Sequence, residues 1–295
     1  MSLKVEKAVT DQAQNLREFV RRSQHIARVI AVTSGKGGVG KTTASVNLAI
    51  ALAAHRRRVI VLDADLGLAN VEVLLGLNSL YNLQHVIEGE KSLIEILVKG
   101  PGGIEVVPGS SGLAKMADLG PPARQRLLDG LKELQEQTDF IVIDTMAGIG
   151  RNAVSFAAAA DDVLIITTPE PSAMVDAYAM LKAVHVLRDD AAFRLIVNMV
   201  SSRQQAEAVT KNLSHVAQQY LGCNLSSAGH IVRDPHVTQA IMQSHPFLLR
   251  FPESPASQCV RDIAAHIIHQ QLQARQNRTG FFRRFAHTFG LAKTG

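Results

Sequence analysis

The chain has no tryptophan, only 3 tyrosines and only 2 cysteines among 295 residues. With aromatic residues at 4%, the interior must be filled by the Val, Ile, Leu and Ala that crowd into short runs. Cys223 and Cys259 form no C-x-x-C pair. That excludes a disulfide framework and suits a reducing compartment. No stretch approaches the ~18 uninterrupted apolar residues of a membrane-spanning helix. The first residues lack the charged start, apolar run and small-residue cleavage site of a signal peptide. A cytosolic protein is expected, with no internal repeat and no low-complexity run.

Hydrophobic residues at 46% and charged residues at 19% suit a globular α/β chain. The net charge of +5 favours an anionic partner, for which nucleotide, nucleic acid and acidic lipid all qualify. Much of the basic excess lies near the ends, at Arg17, Arg21, Arg22 and Arg28, then Arg275, Arg278, Arg283 and Arg284. That distribution suits working tails rather than a wholly basic domain.

Strand-like apolar runs occur at 29–33, 59–62, 104–107, 140–143, 163–167 and 195–200, and helix-like stretches at 42–54, 121–137, 172–188 and 206–221. Continuous apolar strands alternating with amphipathic helices indicate a parallel sheet covered on both faces. The expected fold is α/β, a doubly wound, mostly parallel sheet spanning 29–273 and closing on a helix from about 254 to 273. Residues 1–28 are a polar N-terminal segment with a helix-like stretch at 9–22. Residues 274–295 are a C-terminal tail with an aromatic-basic tip.

The sequence Gly35-Lys36-Gly37-Gly38-Val39-Gly40-Lys41-Thr42 satisfies G-x-x-x-x-G-K-[ST], after a strand and before a helix. Its glycines let successive N–H groups turn inward at phosphate oxygens, aided by the helix N-terminus. ATP with Mg²⁺ is expected against Gly35 to Thr43, Lys41 reaching the β- and γ-phosphates and Thr42 the metal. Two apolar runs end in acids, Asp63-Ala64-Asp65 and Asp144-Thr145-Met146-Ala147-Gly148. Ligands in such sheets bind outside the carboxyl ends of the strands, so both could converge on the loop. An apolar strand ending in Asp is also how a Walker B carboxylate meets the Mg²⁺ shell, and Asp144 suits that role. Capping or turn duty is the alternative for either Asp.

The loop K-G-G-V-G-K-T-T resembles the deviant Walker A motif of the MinD/ParA family of P-loop ATPases, and the resemblance covers roughly 29–268. It implies that Lys36 crosses an ATP-bound homodimer to the partner's phosphates. It also implies that Asp63-Ala64-Asp65-Leu66-Gly67-Leu68-Ala69-Asn70 is switch I, with Asp65 orienting the attacking water and Asp63 supporting Mg²⁺ through water. Asp144 to Gly148 is similar to switch II, although Met146 stands where Pro or Gly is common. Thr167-Thr168-Pro169-Glu170-Pro171-Ser172 resembles a segment that puts Glu170 near the dimer-facing side of the nucleotide. Asn198 falls where the family holds the adenine edge, and an Asn ending a strand also serves as a plain turn former.

The ends of the chain separate the family's branches. Iron–sulfur carriers need cysteine patterns that Cys223 and Cys259 do not make. On a helix, Phe281, Phe282, Phe285 and Phe289 share one arc of ~100°, with Arg283 and Arg284 elsewhere on the wheel. That is the pattern of a helix lying in a membrane interface, here on anionic lipid, and docking on the chain's own domain or on a partner is the alternative. Asp11-Gln12-Ala13-Gln14-Asn15-Leu16-Arg17 matches the D-Q-A-x-x-L-R element of the FlhG/FleN branch, the MinD-like regulators of bacterial flagellar number. The resemblance implies that Asp11, Gln12, Ala13, Leu16 and Arg17 meet an FlhF-type signal-recognition GTPase. FleQ-type transcriptional activators and flagellar switch (C-ring) proteins are further partners it implies. It places the ATP-bound dimer peripherally on the inner face of the cell membrane, at a pole. A ParA-type ATPase binding DNA for segregation and a MinD-type division-site regulator are the competing readings. DNA is disfavoured because the basic clusters are terminal and one alternates with Phe. A metabolic ligase on this fold would need a second substrate constellation, which is not evident.

Overall fold

Burial along the strands alternates between two apolar clusters, and that alternation sets the architecture. Val29 and Ala31 face one cluster while Ile30 and Val32 face the other, and Ile60 and Leu62 divide from Val59 and Val61 in the same way. Strands buried on both faces need helices on both. The computed structural model describes residues 26–65, 70–109, 120–273 and 281–288.

The strands are β1 (Arg28–Ser34), β2 (Val59–Ala64), β3 (Val98–Lys99), β4 (Glu105–Val107), β5 (Phe140–Ala147), β6 (Asp162–Thr167), β7 (Ala192–Val200) and β8 (Leu225–Val232). They form one sheet in the order β3-β4-β2-β5-β1-β6-β7-β8. Only the short β3 runs antiparallel to its neighbour. The helices are α1 (Lys41–Ala54), α2 (Asn70–Leu75), α3 (Leu83–Glu88), α4 (Pro121–Gln137), α5 (Arg151–Ala159), α6 (Pro171–Leu187), α7 (Arg203–Leu221), α8 (Pro235–Met242), α9 (Phe247–Arg250), α10 (Pro255–Gln273) and α11 (Phe281–Thr288). The first two and α8 to α10 bury their apolar residues on one face of the sheet and the others, apart from Ala173 at the start of α6, on the opposite face. This is the expected doubly wound α/β fold, with the carboxyl ends of the parallel strands on one edge. The two cysteines lie against opposite faces, Cys223 in one cluster and Cys259 packed on the other.

Three elements of eight or more residues escape the sequence reading, α5, α8 and β8. Helix α5 is buried from Ala153 to Ala159, so it has no polar stripe to betray a helical period. In β8 the residues Ser226, Ser227 and Gly229 break the apolar run, because an edge strand needs less burial.

The C-terminal tail departs from expectation in its placement. Helix α11 forms over the expected residues but packs on α5. Phe281 and Phe285 are 1% and 0% exposed, and the Phe285 ring lies 5.4 Å from that of Phe156. Arg284 donates to the Ala159 carbonyl at 3.0 Å and pairs with Asp161. In this conformation Phe281 and Phe285 therefore face the chain's own core, not a lipid surface. The cause is physical: the apolar arc finds Phe156, and the guanidinium finds a helix C-terminus whose last carbonyls attract cations. Phe289 and the side chain of Phe282 lie outside the described residues, as does the whole element from Asp11 to Arg17.

Candidate nucleotide-binding site

The phosphate loop joins β1 to α1, and its glycines meet specific steric demands. Gly40 has φ +84°, and a Cβ there would lie 2.4 Å from the Asn198 amide nitrogen. A Cβ on Gly35 would lie 1.9 Å from the Asp176 carbonyl oxygen of α6. A side chain at Gly35 would force the backbone apart, and one at Gly40 would have to displace the Asn198 amide and hold a strained φ. At the start of α1 no side chain caps the free N–H groups and no acid occupies the first turn. That helix end is left open to an anion.

A cavity of about 510 Å³ opens over the loop, lined among others by Lys36, Gly38, Lys41, Thr42, Asp65 and Met199. Its volume is within the roughly 300–1,000 Å³ of small-molecule sites. A second cavity of about 130 Å³ adjoins it, and Gly40, Thr43, Met199 and Ile241 line both. Asn198 lines the smaller one. Between Val197 and Val200 the β7–β8 register shifts, and Met199 takes a left-handed φ of 58°. Such an irregularity re-aims side chains at a sheet end, here Asn198 and Met199.

Beneath the larger cavity, Asp63 and Asp144 are register partners on adjacent strands, and both are fully buried. Lys41 Nζ donates to Asp144 Oδ1 at 3.0 Å, and Ser45 Oγ lies 2.9 Å from the same oxygen. The other oxygen, Asp144 Oδ2, is buried with no hydrogen-bond partner. A buried carboxylate oxygen without a donor is costly, and a divalent cation with its water would satisfy it. Burial, and then the charge of Asp144, push the Asp63 carboxyl up to about 7, against N–H donors from Asp65 and Val71 that hold it down. Asp144, with one oxygen on Lys41 and the other unpaired beside a second buried acid, thus leaves an unmet demand for positive charge. With the Thr42 hydroxyl on the cavity wall, this donor set fits Mg²⁺.

Asp65 lines the cavity, and its Oδ2 accepts from Asn70 Nδ2 at 2.8 Å. Lys36 reaches Glu170 Oε2 at 3.1 Å and Ser172 Oγ at 2.9 Å, with side chains 39% and 64% exposed for the ion pair. Asn198 is more committed than a free base reader, donating to the Val39 carbonyl at 2.8 Å and accepting from the Met199 N–H. One amide proton and one lone pair remain for a base edge. Lys36, Lys41, Thr42, Asp65 and Glu170 thus gather at the strands' carboxyl edge, with Asp63 and Asp144 below them. Sequence reasoning missed Ser45, Met199 and the smaller cavity, and it named Asn70 as the end of switch I without its bond to Asp65. Ser45 was legible, standing one helical turn after Lys41 on the same face.

Comparison with known proteins agrees with this geometry. The ParA family model, described as NUBPL iron-transfer P-loop NTPase, matches residues 25–268. Antiactivator FleN of Pseudomonas aeruginosa is 42% identical over 245 residues, covering 83% of this chain and 88% of that protein. Flagellum site-determining protein YlxH of Helicobacter pylori is 38% identical over 231 residues, 75% of this chain and 78% of its own. Among solved structures, the septum site-determining protein MinD of Pyrococcus horikoshii, complexed with Mg-ADP, superposes with a TM-score of 0.67 at 26% identity. It covers 86% of this chain and 100% of its own.

Proposed function

Because the chain belongs to the ParA/MinD family of P-loop ATPases and, within it, to the FleN/FlhG flagellar regulators, we propose that it is an Mg²⁺-dependent switch that dimerises around ATP. In that state it would control the number and placement of bacterial flagella from the membrane surface. The observation that carries the reading is Lys36. It stands at the mouth of the cavity on an exposed pair with Glu170, and such pairs contribute only ~0–1 kcal/mol. A phosphate chain presented by a second subunit can therefore take it over at little cost.

Within one subunit, Lys41 exchanges Asp144 for the β- and γ-phosphates, and Asp65, steadied by Asn70, holds the attacking water. Mg²⁺, held by Thr42 and through water by Asp63 and Asp144, would neutralise charge developing on the phosphates. Asn198 offers its remaining amide proton to the base.

The tail and the N-terminal element supply the outputs. Helix α11 has 8 residues, and helices this short need a surface to be stable. Phe281 and Phe285 use the core as that surface in the structure, and an anionic membrane is the competing one. Dimerisation would present two tails together and raise avidity. The segment from Asp11 to Arg17 would act on an FlhF-type GTPase, with a FleQ-type activator and switch proteins as further partners.

Light scattering with ATP, ADP and no nucleotide tests the dimer. Lys36→Ala should bind ATP and remain monomeric, and an ATP-dependent dimer of that variant would remove the cross-subunit role. A peptide of residues 1–22 should raise GTP hydrolysis by an FlhF-type GTPase. If a Gln12→Ala peptide did so equally well, the partner assignment would be lost.

A further inference from the structure

The wall of the smaller cavity is built by a segment that crosses from β8 to α10. Val237, Thr238 and Ile241 of α8 and Phe247 of α9 line it, and Ile241 and Ser244 reach the larger cavity as well. Short helices gain little stability from their own backbone. The segment must therefore be fixed by what it touches, and buried polar side chains fix it at three points.

Asp234 closes the base of the segment. Its Oδ1 accepts from the His236 N–H at 2.9 Å and its Oδ2 from the Ala256 N–H at 3.1 Å, joining the start of α8 to the start of α10. Ser257 holds the far end, donating to the Phe251 carbonyl at 2.8 Å. The third point is Asn47, in the phosphate-loop helix and fully buried. Its Oδ1 accepts from the Leu248 N–H at 2.9 Å, while its Nδ2 donates to the Thr43 carbonyl at 2.8 Å. Leu248 lies in the first turn of α9, where a helix leaves N–H groups without a backbone acceptor, so Asn47 meets an open demand. Thr43 lines both cavities.

One buried amide thus touches the helix that carries the phosphate site and the segment that walls the adjoining cavity. We propose that Asn47 is a positioning residue for nucleotide binding, fixing the α8–α9 wall against the phosphate-loop helix so that base and phosphates are gripped in one geometry. The inference rests on the nucleotide reading of the two cavities. It adds that the base contributes to affinity through a wall whose distance from the phosphates is set by this amide. A carbon side chain of similar size would fill the space and lose the setting, because the Leu248 N–H and the wall would be free to shift.

The test separates base from phosphates. Titration calorimetry compares Mg-ADP with inorganic tripolyphosphate, for the full chain and for Asn47→Ala. Loss of one buried hydrogen-bonded link should weaken ADP about tenfold and leave tripolyphosphate within about twofold. Ser257→Ala loosens the same segment without touching the phosphate-loop helix, and should weaken ADP about threefold with tripolyphosphate unchanged. If Asn47→Ala does not fold, Asn47→Leu, which fills the space but cannot accept from the Leu248 N–H, carries the same comparison with the same expected result. Equal weakening of both ligands would make Asn47 a support of the loop only, and unchanged ADP affinity in the variants would also overturn the proposal. If the unaltered chain bound no ADP, the nucleotide reading would fall and the latch with it. If the unaltered chain binds ADP and the variants match it, only the latch falls.

Discussion

Asp161→Asn is the perturbation that best separates a docked tail from a membrane-bound one. Asp161 Oδ2 accepts the Val29 N–H at 2.9 Å and its Oδ1 pairs with Arg284, so an amide keeps the acceptor for Val29 and removes the charge facing α11. The pair is 19% and 15% exposed, between a solvated ion pair and a buried one. Exposed pairs are worth ~0.2–1 kcal/mol and hydrogen bonds to charged groups ~1.5–3 kcal/mol. Roughly 1–2 kcal/mol of docking should therefore be lost, moving the docked-to-free equilibrium about five- to thirtyfold. Arg284 retains the Ala159 carbonyl, and Phe281 and Phe285 are untouched, so the freed tail keeps every residue it offers to lipid. Co-sedimentation with phosphatidylglycerol vesicles at subsaturating lipid, without nucleotide, should rise by the same factor toward the level the unaltered chain reaches with ATP. The exposed Asp189 supplies the control, since Asp189→Asn adds the same charge without touching the docked helix. Binding of Asp161→Asn no better than that of Asp189→Asn would refute the competition between core and membrane.

Two further outcomes follow from the site. If Asp65 orients the attacking water as proposed, Asp65→Ala should bind ATP with near-normal affinity and hydrolyse it at least about tenfold more slowly; single-turnover hydrolysis at the unaltered rate would reassign Asp65. The raised Asp63 pKa, about 7 against an ordinary 3.8, means that the folded chain without ligand holds a proton the unfolded chain has released between those values. Stability should accordingly fall as pH rises from about 4 to 7 and level off above, and Asp63→Asn should flatten that slope. Melting curves of both proteins across that range are the check, and parallel curves would show that Asp63 is ionised throughout.

What was legible in the sequence and what was not divides along physical lines. The phosphate loop could be read because glycine spacing, a lysine and the strand-to-helix change are all local. Asp63 and Asp144 could be read because parallel strands bring their carboxyl ends to one edge, whatever the order of the sheet. Asn198 was placed correctly at a strand end, yet its bond to Val39 depends on a contact 159 residues away in sequence. The tail shows the limit most directly. Its helical period gave the apolar arc of Phe281 and Phe285, but an arc states only that something apolar covers it, not whether that is Phe156 or a lipid. Asn47 was invisible for a related reason, since its partner Leu248 is 201 residues distant and belongs to a helix of one turn.

The cations assigned to external anions share one condition in the structure. Lys36 is paired with Glu170, Lys41 with Asp144 and Arg284 with Asp161. A switch built on exchange differs from one built on bare charges. An unpaired buried lysine would be costly while the site waits. With an internal carboxylate already in place, the incoming phosphate gains only the difference between two ion pairs. That keeps both states within a few kcal/mol and lets hydrolysis reverse the choice. The three exchanges also differ in depth. Lys41 and Asp144 are 7% and 0% exposed, whereas Lys36 and Glu170 stand in solvent. The Lys41 pair is thus the buried, committed one and the Lys36 pair the outward one, which is the arrangement expected if Lys36 answers to a neighbouring subunit while Lys41 serves its own site.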